Sequence, residues 1–161
     1  MEEQTRPRAA EAASLPAGPD PAGFAEPFRS RVRGREKRAL GDVFRLTRFG
    51  VNLCRIPPGS ASSLRHAHTE QDEFVYVLEG HPVLVTNAGE TPLAPGMCAG
   101  FPRNTGDAHS LVKRSARDVV VLEIGDRSPG DQVSYPDDGI SAALAPDGHY
   151  TYRAADGTVI G

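Results

Sequence analysis

From residue 43 onward, apolar and polar residues alternate with a period of two, which is typical of β-strands and not of helices. The clearest strands are FGVNLCRI, EFVYVLEG and DVVVLEIG, and shorter ones are SLRHAH, PVLVT, CAGF and HSLVKR. Turns rich in Gly and Pro separate them, namely PPGS, NAGE and APGM. Short strands at this spacing predict an all-β sandwich or barrel.

The two ends of the chain lack this clear alternation. Residues 1–27 are rich in Ala, Pro, Glu and Gly without any period, which predicts a disordered N-terminal tail. We place the β-barrel at residues 28–126. Residues 127–161 are predicted to pack on it as a loop (SPGDQVSYPDDG), a short helix (ISAALA) and a terminal hairpin (YTYRAADGTVI).

Residues 28–38 (FRSRVRGREKR) are strongly basic. They hold six basic residues and one acidic residue, a local charge of +5 that leaves −8 for the rest of the chain. Every second residue from 29 to 35 is Arg, which in a strand would place all four on one face. The segment is either an anion-binding arm or an edge strand kept soluble by its charge. We favour the edge strand, because the acidic remainder would repel phosphate.

The composition limits the classes of function. A chain of 161 residues with net charge −3 is most simply one domain, and nothing in its overall charge suggests a nucleic-acid partner. It has no apolar run of about 18 residues and no apolar N-terminal leader, so we expect neither a membrane span nor secretion. We therefore expect a cytoplasmic protein in which Cys54 and Cys98 are reduced.

Metal-capable side chains stand at the start of an apolar strand. His66 and His68 are two apart and share a face in a strand. If that strand pairs antiparallel with the next one, Glu73 returns close to them, and His109 begins a later strand. Three imidazoles and one carboxylate suit Fe, Mn, Ni, Co or Zn and leave room for water or substrate.

These residues resemble the two motifs of the cupin superfamily. The first motif corresponds to Gly59, His66, His68, Glu73 and Gly80 at the usual spacing. The second corresponds to a set of four positions: Gly96, Pro102, Gly106 and His109. The resemblance covers roughly residues 40–126. It implies a cupin double-stranded β-helix, or jelly roll, of the small single-domain type, with a divalent transition metal held by His66, His68, Glu73 and His109.

Two positions depart from the second motif. The segment between Pro102 and Gly106 is two residues longer than usual, so we expect its loop to bulge. Lys113 stands where the motif has Asn, on the same face as His109 if the strand is regular, and is a candidate for binding a substrate anion or donating a proton.

The resemblance also implies a homodimer. Phe74, Tyr76 and Leu78 alternate with the Glu73 face and would form an apolar outer patch suited to pairing. The competing possibility is that residues 127–161 fold back and cover this patch within one chain.

The favoured function is a metal-dependent enzyme acting on a small oxygenated metabolite that chelates the metal. Isomerase or epimerase, dioxygenase and lyase reactions remain open, since cupins of all three kinds share this ligand set. FGVNL, DEFVYVLEG and LEIGDR resemble small cupins of which some are labelled sugar-phosphate isomerase-like. The alternatives are a non-catalytic sensor that binds a metal or small ligand, and a purely structural barrel.

Overall fold

The computed structural model describes residues 7–18 and 24–160, and most of its regular structure is β-strand. One helical turn, α1 (Leu40–Val43), and two 3-10 turns, Ala12–Ser14 and Phe28–Val32, are the helical elements of this part. No helix in the described ranges is long and apolar enough to cross a membrane. The strands, in chain order, are β1 (Glu36–Ala39), β2 (Phe49–Ile56), β3 (Ala67–His68), β4 (Glu73–Glu79), β5 (Val83–Thr86), β6 (Gly89–Pro92), β7 (Cys98–Phe101), β8 (Ser110–Val112), β9 (Val119–Asp126), β10 (Gln132–Tyr135), β11 (Ile140–Leu144), β12 (Tyr150–Ala154) and β13 (Val159–Ile160).

The strands form three sheets. Five of them pair in the order β1-β2-β9-β4-β7, five more in the order β13-β12-β11-β10-β3, and three in the order β6-β5-β8. Strands β2 and β9 pair over their full lengths, from Phe49 opposite Asp126 to Ile56 opposite Val119. All the pairs are antiparallel, which confirms the predicted all-β jelly-roll class.

The alternation in β4 separates the barrel interior from the outer surface. Val75 and Val77 are buried in the barrel core, whereas Phe74, Tyr76 and Leu78 on the opposite face are exposed. Because side chains of one strand point alternately to opposite faces, this burial confirms the predicted orientation of β4. The barrel core also includes a group of aliphatic side chains and one thiol from the neighbouring strands: Cys54, Ile56, Leu84, Leu93, Leu111, Val119 and Val121.

Residues 127–161 differ from the prediction for the C-terminal extension. The expected loop contains β10, and the expected helix at ISAALA is strand β11, paired with β10 on one side and β12 on the other. Burial explains the outcome, because Ile140 and Ala142 are buried while Ser141 and Ala143 are exposed. Packing against the sheet therefore overrides the helix propensity of the alanines. The terminal hairpin was predicted correctly as β12 and β13.

The strand that carries the histidines also pairs differently from the prediction. We expected it beside β4, but β3 pairs with β10, with Val133 opposite His68 and Ser134 opposite Ala67. Strand β4 lies between β9 and β7 in the other large sheet. The histidines and Glu73 therefore approach each other from separate sheets.

The N-terminal segments take part in packing. Residues 1–6 and 19–23, which belong to the predicted disordered tail, lie outside the described residues. Phe24, from the end of that tail, is buried in a second hydrophobic cluster and packs edge-on against Tyr135, with ring centroids 5.6 Å apart. Gly18 donates a hydrogen bond to the carbonyl oxygen of Lys37 over 2.8 Å.

The basic segment is not one continuous strand. Residues 28–32 form a 3-10 turn, and only the stretch from Glu36 onward is the edge strand β1. The four arginines therefore do not share one face. Arg35 is buried and Lys37 stands opposite the buried Cys54, so both lie on the inner side of the barrel. The edge strand was predicted, but its inward charges were not.

Gly80, after β4, allows a test of backbone packing. Its φ is +80°, and an added Cβ would lie 2.4 Å from the carbonyl oxygen of Asp118. Gly59 has a similar φ of +78° but has no atom within 4 Å of that position. We expect Gly59→Ala to lower the free energy of unfolding by about 1–2 kcal/mol, the cost of a left-handed residue with a Cβ. Gly80→Ala should cost about 1–3 kcal/mol more, because the strand must also move.

Urea denaturation of the two variants measures this difference directly. Since the backbone cost is shared, the gap between them isolates the steric clash. Equal losses of stability in the two variants would contradict the close packing at Gly80.

Candidate metal centre

Four side chains converge at one end of the barrel. The Oε2 atom of Glu73 lies 3.2 Å from Nε2 of His66, 3.4 Å from Nε2 of His68 and 2.9 Å from Nε2 of His109. His66, His68 and Glu73 each offer a ligand atom within 4.8 Å of the others. The structure thus brings together all four residues that the sequence selected as ligands.

Backbone pairing places these side chains. His66 and His109 face each other in an antiparallel bridge with hydrogen bonds of 3.0 and 2.8 Å in the two directions. Glu73 begins β4 opposite Gly125 of β9. Cγ of Glu73 lies 3.7 Å from the position that a Cβ of Gly125 would take, which is an ordinary van der Waals distance.

Hydrogen bonds fix which ring nitrogens face the centre. Nδ1 of His66 lies 2.8 Å from the carbonyl oxygen of Leu64, which can only accept, so Nδ1 carries the proton. The Nε2 atom of His66 then presents a lone pair towards Glu73 unless the ring is doubly protonated. The Nε2 atoms of His66, His68 and His109 and the carboxylate of Glu73 together form an N3O donor set, which suits a divalent transition metal.

The pKa values of the cluster reflect burial opposed by mutual attraction. Burial alone would raise the pKa of Glu73, but hydrogen bonds with His109, His66 and His68 hold it well below the usual value. Burial would lower the pKa of His68, yet hydrogen bonds to Asp131 and Glu73 raise it to about 9. For His109, burial dominates and lowers the pKa despite its hydrogen bond to Glu73.

Asp131 is a site residue that the sequence analysis missed. Its fully buried carboxylate lies 2.6 Å from Nδ1 of His68 and accepts hydrogen bonds from the Glu70 amide and the Tyr150 hydroxyl, each over 2.9 Å. A carboxylate behind a ligating imidazole fixes the ring's orientation and tautomer and makes it a better ligand. The sequence did carry one signal here. Apolar Val133 and Tyr135 alternate with polar neighbours just after Asp131, which is typical of a strand.

The lengthened loop of the second motif covers the other side of the centre. The Asn104 amide donates to the carbonyl oxygen of His68 over 2.9 Å, so the two additional residues fold back towards the ligands. The ring of Phe101 stacks on His109 with centroids 3.5 Å apart and planes 1° apart. The stacked ring of Phe101 shields the imidazole of His109 from bulk water.

A cavity of about 270 Å³ opens beside the ligands His66, Glu73 and His109. Its remaining wall includes polar side chains from β1, β2 and β9 and from the residue just before β1: Arg35, Lys37, Asn52 and Glu123. Nζ of Lys37 and Oε2 of Glu123 form an ion pair 2.9 Å apart. The site therefore joins four potential metal ligands to a charged chamber of small volume.

Lys113 and Cys54 stand apart from the ligand cluster. Lys113 is buried and donates hydrogen bonds to the carbonyl oxygen of Ser115 and, over 2.9 Å, to the hydroxyl of Ser115. It lines a different cavity, beside Ser60.

Burial, followed by the nearby charge of Glu123, raises the pKa of the Cys54 thiol to about 12, so this thiol stays protonated at neutral pH. Neither cysteine is in a disulfide.

Comparison with known proteins agrees with this geometry. The sequence model of the cupin domain family matches residues 52–125. A crystal structure from Silicibacter pomeroyi, described as a sugar phosphate isomerase from a cupin superfamily, is 38% identical and superposes with a TM-score of 0.81. The match covers 87% of this chain and 92% of that one. The chain belongs to the cupin superfamily.

Other solved structures resemble this cupin. One from Acidithiobacillus ferrooxidans, also named for sugar phosphate isomerase activity, is 32% identical, with a TM-score of 0.70 and coverage of 77% and 78% of the two chains. The polyketide cyclase RemF from Streptomyces resistomycificus shares the fold at 20% identity, with a TM-score of 0.61 and coverage of 74% and 78%. No curated protein matches the chain.

A graded series of variants tests the cupin's metal centre. We expect His66→Ala combined with His68→Ala to abolish stoichiometric metal, because two of four ligands are lost. Asp131→Asn should keep the shape but weaken metal affinity by about 10–100-fold, since it removes the charge that fixes His68. Elemental analysis and competition with a chelator measure the two effects.

Asp137→Asn is the matched control for Asp131→Asn. Asp137 is also a carboxylate of the C-terminal segment, but it pairs with Arg65 over 2.7 Å, away from the ligand nitrogens. Its variant should bind metal as the natural protein does. A double histidine variant with the full metal content would show that the assignment is wrong.

Proposed function

We propose that this cupin is a metal-dependent isomerase acting on a small oxygenated metabolite of the sugar phosphate class. The observation that carries the proposal is the position of three of the four potential ligands, His66, Glu73 and His109, at the edge of the 270 Å³ cavity. Ligand pockets of proteins start at about 300 Å³, so this volume favours a small metabolite. The residues that would hold the metal are His66, His68, Glu73 and His109.

The bound metal would supply Lewis-acid polarisation of a substrate carbonyl. The protein would contribute three imidazoles, a carboxylate and a partly closed chamber. A substrate that chelates through neighbouring hydroxyl and carbonyl oxygens fits this arrangement, because the protein supplies four ligands and leaves coordination positions open.

The inward charges of the N-terminal segment support an anionic substrate. Arg35 and Lys37 both line the chamber, although the chain as a whole carries a net charge of −3. A phosphate group is a preferred partner of guanidinium and ammonium groups. The names of the two relatives above 30% identity point to the same substrate class.

Turnover tests the function. The metal-loaded protein should interconvert one aldose phosphate with the corresponding ketose phosphate of three to six carbons. NMR measures this conversion. Chelator treatment should remove the activity, and adding back Mn, Fe, Co, Ni or Zn should restore it. Binding of a sugar phosphate without turnover would favour the sensor, and neither binding nor turnover across the series would contradict the proposal.

We also propose that the protein is a homodimer. Phe74, Tyr76 and Leu78 have exposures of 37%, 38% and 40% on the outer face of β4. The C-terminal strands β10–β13 join β3 in the other large sheet and leave these three side chains exposed. An apolar patch of this kind is typical of an interface.

Light scattering coupled to size exclusion tests the pairing. We expect a mass near twice 17.2 kDa. Tyr76→Glu should shift it to the monomer, because a charge in the interface would lose its hydration. Val159→Glu is the control, as Val159 is an exposed apolar residue of the edge strand β13. A monomer at micromolar concentration in the natural protein contradicts the proposal.

A further inference from the structure

The ion pair of Lys37 and Glu123 has no part in holding the metal, yet it faces the same cavity. Both side chains keep some surface exposed, 31% for Lys37 and 18% for Glu123. A half-buried pair of this kind contributes little net stability, because the loss of hydration offsets much of the Coulomb attraction. The position of the pair beside the candidate ligands therefore points to a role in the chemistry of the cavity rather than in stability.

The strand register places Glu123 near the metal centre. Glu73 stands opposite Gly125 across the β4–β9 pair, and Glu123 is two residues from Gly125 on the same strand. The two glutamates thus share one face as diagonal neighbours, which lie about 7–8 Å apart in an antiparallel pair. A small substrate held at the metal ligands would reach the Glu123 carboxylate.

The surroundings keep this pair ionised. Burial would raise the pKa of Glu123, but the charges of Lys37 and then Arg35 lower it. Burial would lower the pKa of Lys37, and Glu123 instead raises it. Cys54 and Tyr152 are the other titratable groups that influence the pair, and both keep their protons at neutral pH because their pKa values are raised. Glu123 is therefore a carboxylate in the cavity, as a general base must be.

We propose that Glu123 is the general base of the isomerisation and that Lys37 is the positioning residue that keeps it charged and aimed into the cavity. This inference rests on the proposed function. Glu123 accepts the proton from the carbon next to the substrate carbonyl. The C–H electron pair then forms a carbon–carbon double bond, and the carbonyl electron pair moves to its oxygen.

The second half of the reaction returns all the protons. The carbonyl oxygen takes the hydroxyl proton of the neighbouring carbon, whose oxygen becomes the new carbonyl. Glu123 then gives its proton to the former carbonyl carbon and is again a carboxylate. The sequence is redox-neutral and needs no further reactant.

Exchange of substrate hydrogen with solvent tests the assignment. The metal-loaded full chain is incubated in D2O with aldose and ketose phosphates of three to six carbons, and NMR follows the loss of the C–H signal. Glu123→Gln should slow exchange by at least about 100-fold, the usual contribution of a general base. Its metal content and its circular dichroism spectrum should stay unchanged, which separates the loss of the base from a loss of the fold.

Lys37→Met separates a positioning role from a structural one. Without the ammonium group the pKa of Glu123 rises, so the acid limb of the exchange rate should move to higher pH. The matched control is Glu36→Gln on the same strand, because Glu36 faces outward and pairs with Arg55 over 3.2 Å. That variant should leave both the exchange rate and its pH profile unchanged.

The outcomes distinguish this inference from the proposed function. No turnover of any of the sugar phosphates by the natural protein overturns both, whereas turnover without exchange overturns the assignment of Glu123 alone. Exchange in Glu123→Gln at the natural rate overturns the assignment of Glu123 alone. If Glu123→Gln does not fold, Glu123→Asp takes its place. Unchanged exchange in Glu123→Asp, which withdraws the carboxylate by one methylene, overturns the assignment as well. An unshifted profile in Lys37→Met overturns the role of Lys37.

Discussion

The convergence of three imidazole nitrogens on one oxygen of Glu73, at 2.9–3.4 Å, sets the demands that the rest of the structure meets. Such a group of ligands inside a barrel is costly to assemble, because its members lose hydration and present lone pairs to one another. The fold holds two of the imidazoles in place through acceptors on their far side, the carbonyl oxygen of Leu64 for His66 and the carboxylate of Asp131 for His68.

The C-terminal sheet is part of the candidate metal centre. Strand β10 pairs with β3, and Asp131 just before it holds His68 in place. A second hydrophobic cluster, to which Phe24, Val32 and Tyr135 contribute, lies in the same region and anchors this sheet. Loss of packing in this cluster would therefore displace the His68 ring by way of Asp131, although none of the clustered residues is itself a candidate ligand.

The start of the chain contributes the other half of the cavity. Strand β1 turns Lys37 towards Glu123 of β9, and Arg35 just before it is also buried. Metal-capable and acid–base groups then share one chamber of about 270 Å³. This combination suits chemistry in which a metal polarises a carbonyl while a neighbouring carboxylate moves a proton.

The sequence by itself determined the period-two strands and the four candidate ligands, because both depend on local spacing. Its local patterns did not reveal β10 and β11, since short alternating segments containing alanine look like a loop and a helix until a neighbouring sheet buries one face. Only the tertiary structure brought Asp131 to His68 across 63 positions and turned Lys37 inward to Glu123. Those contacts arise from strand pairing between distant segments, and no spacing rule along one chain encodes which strands become neighbours.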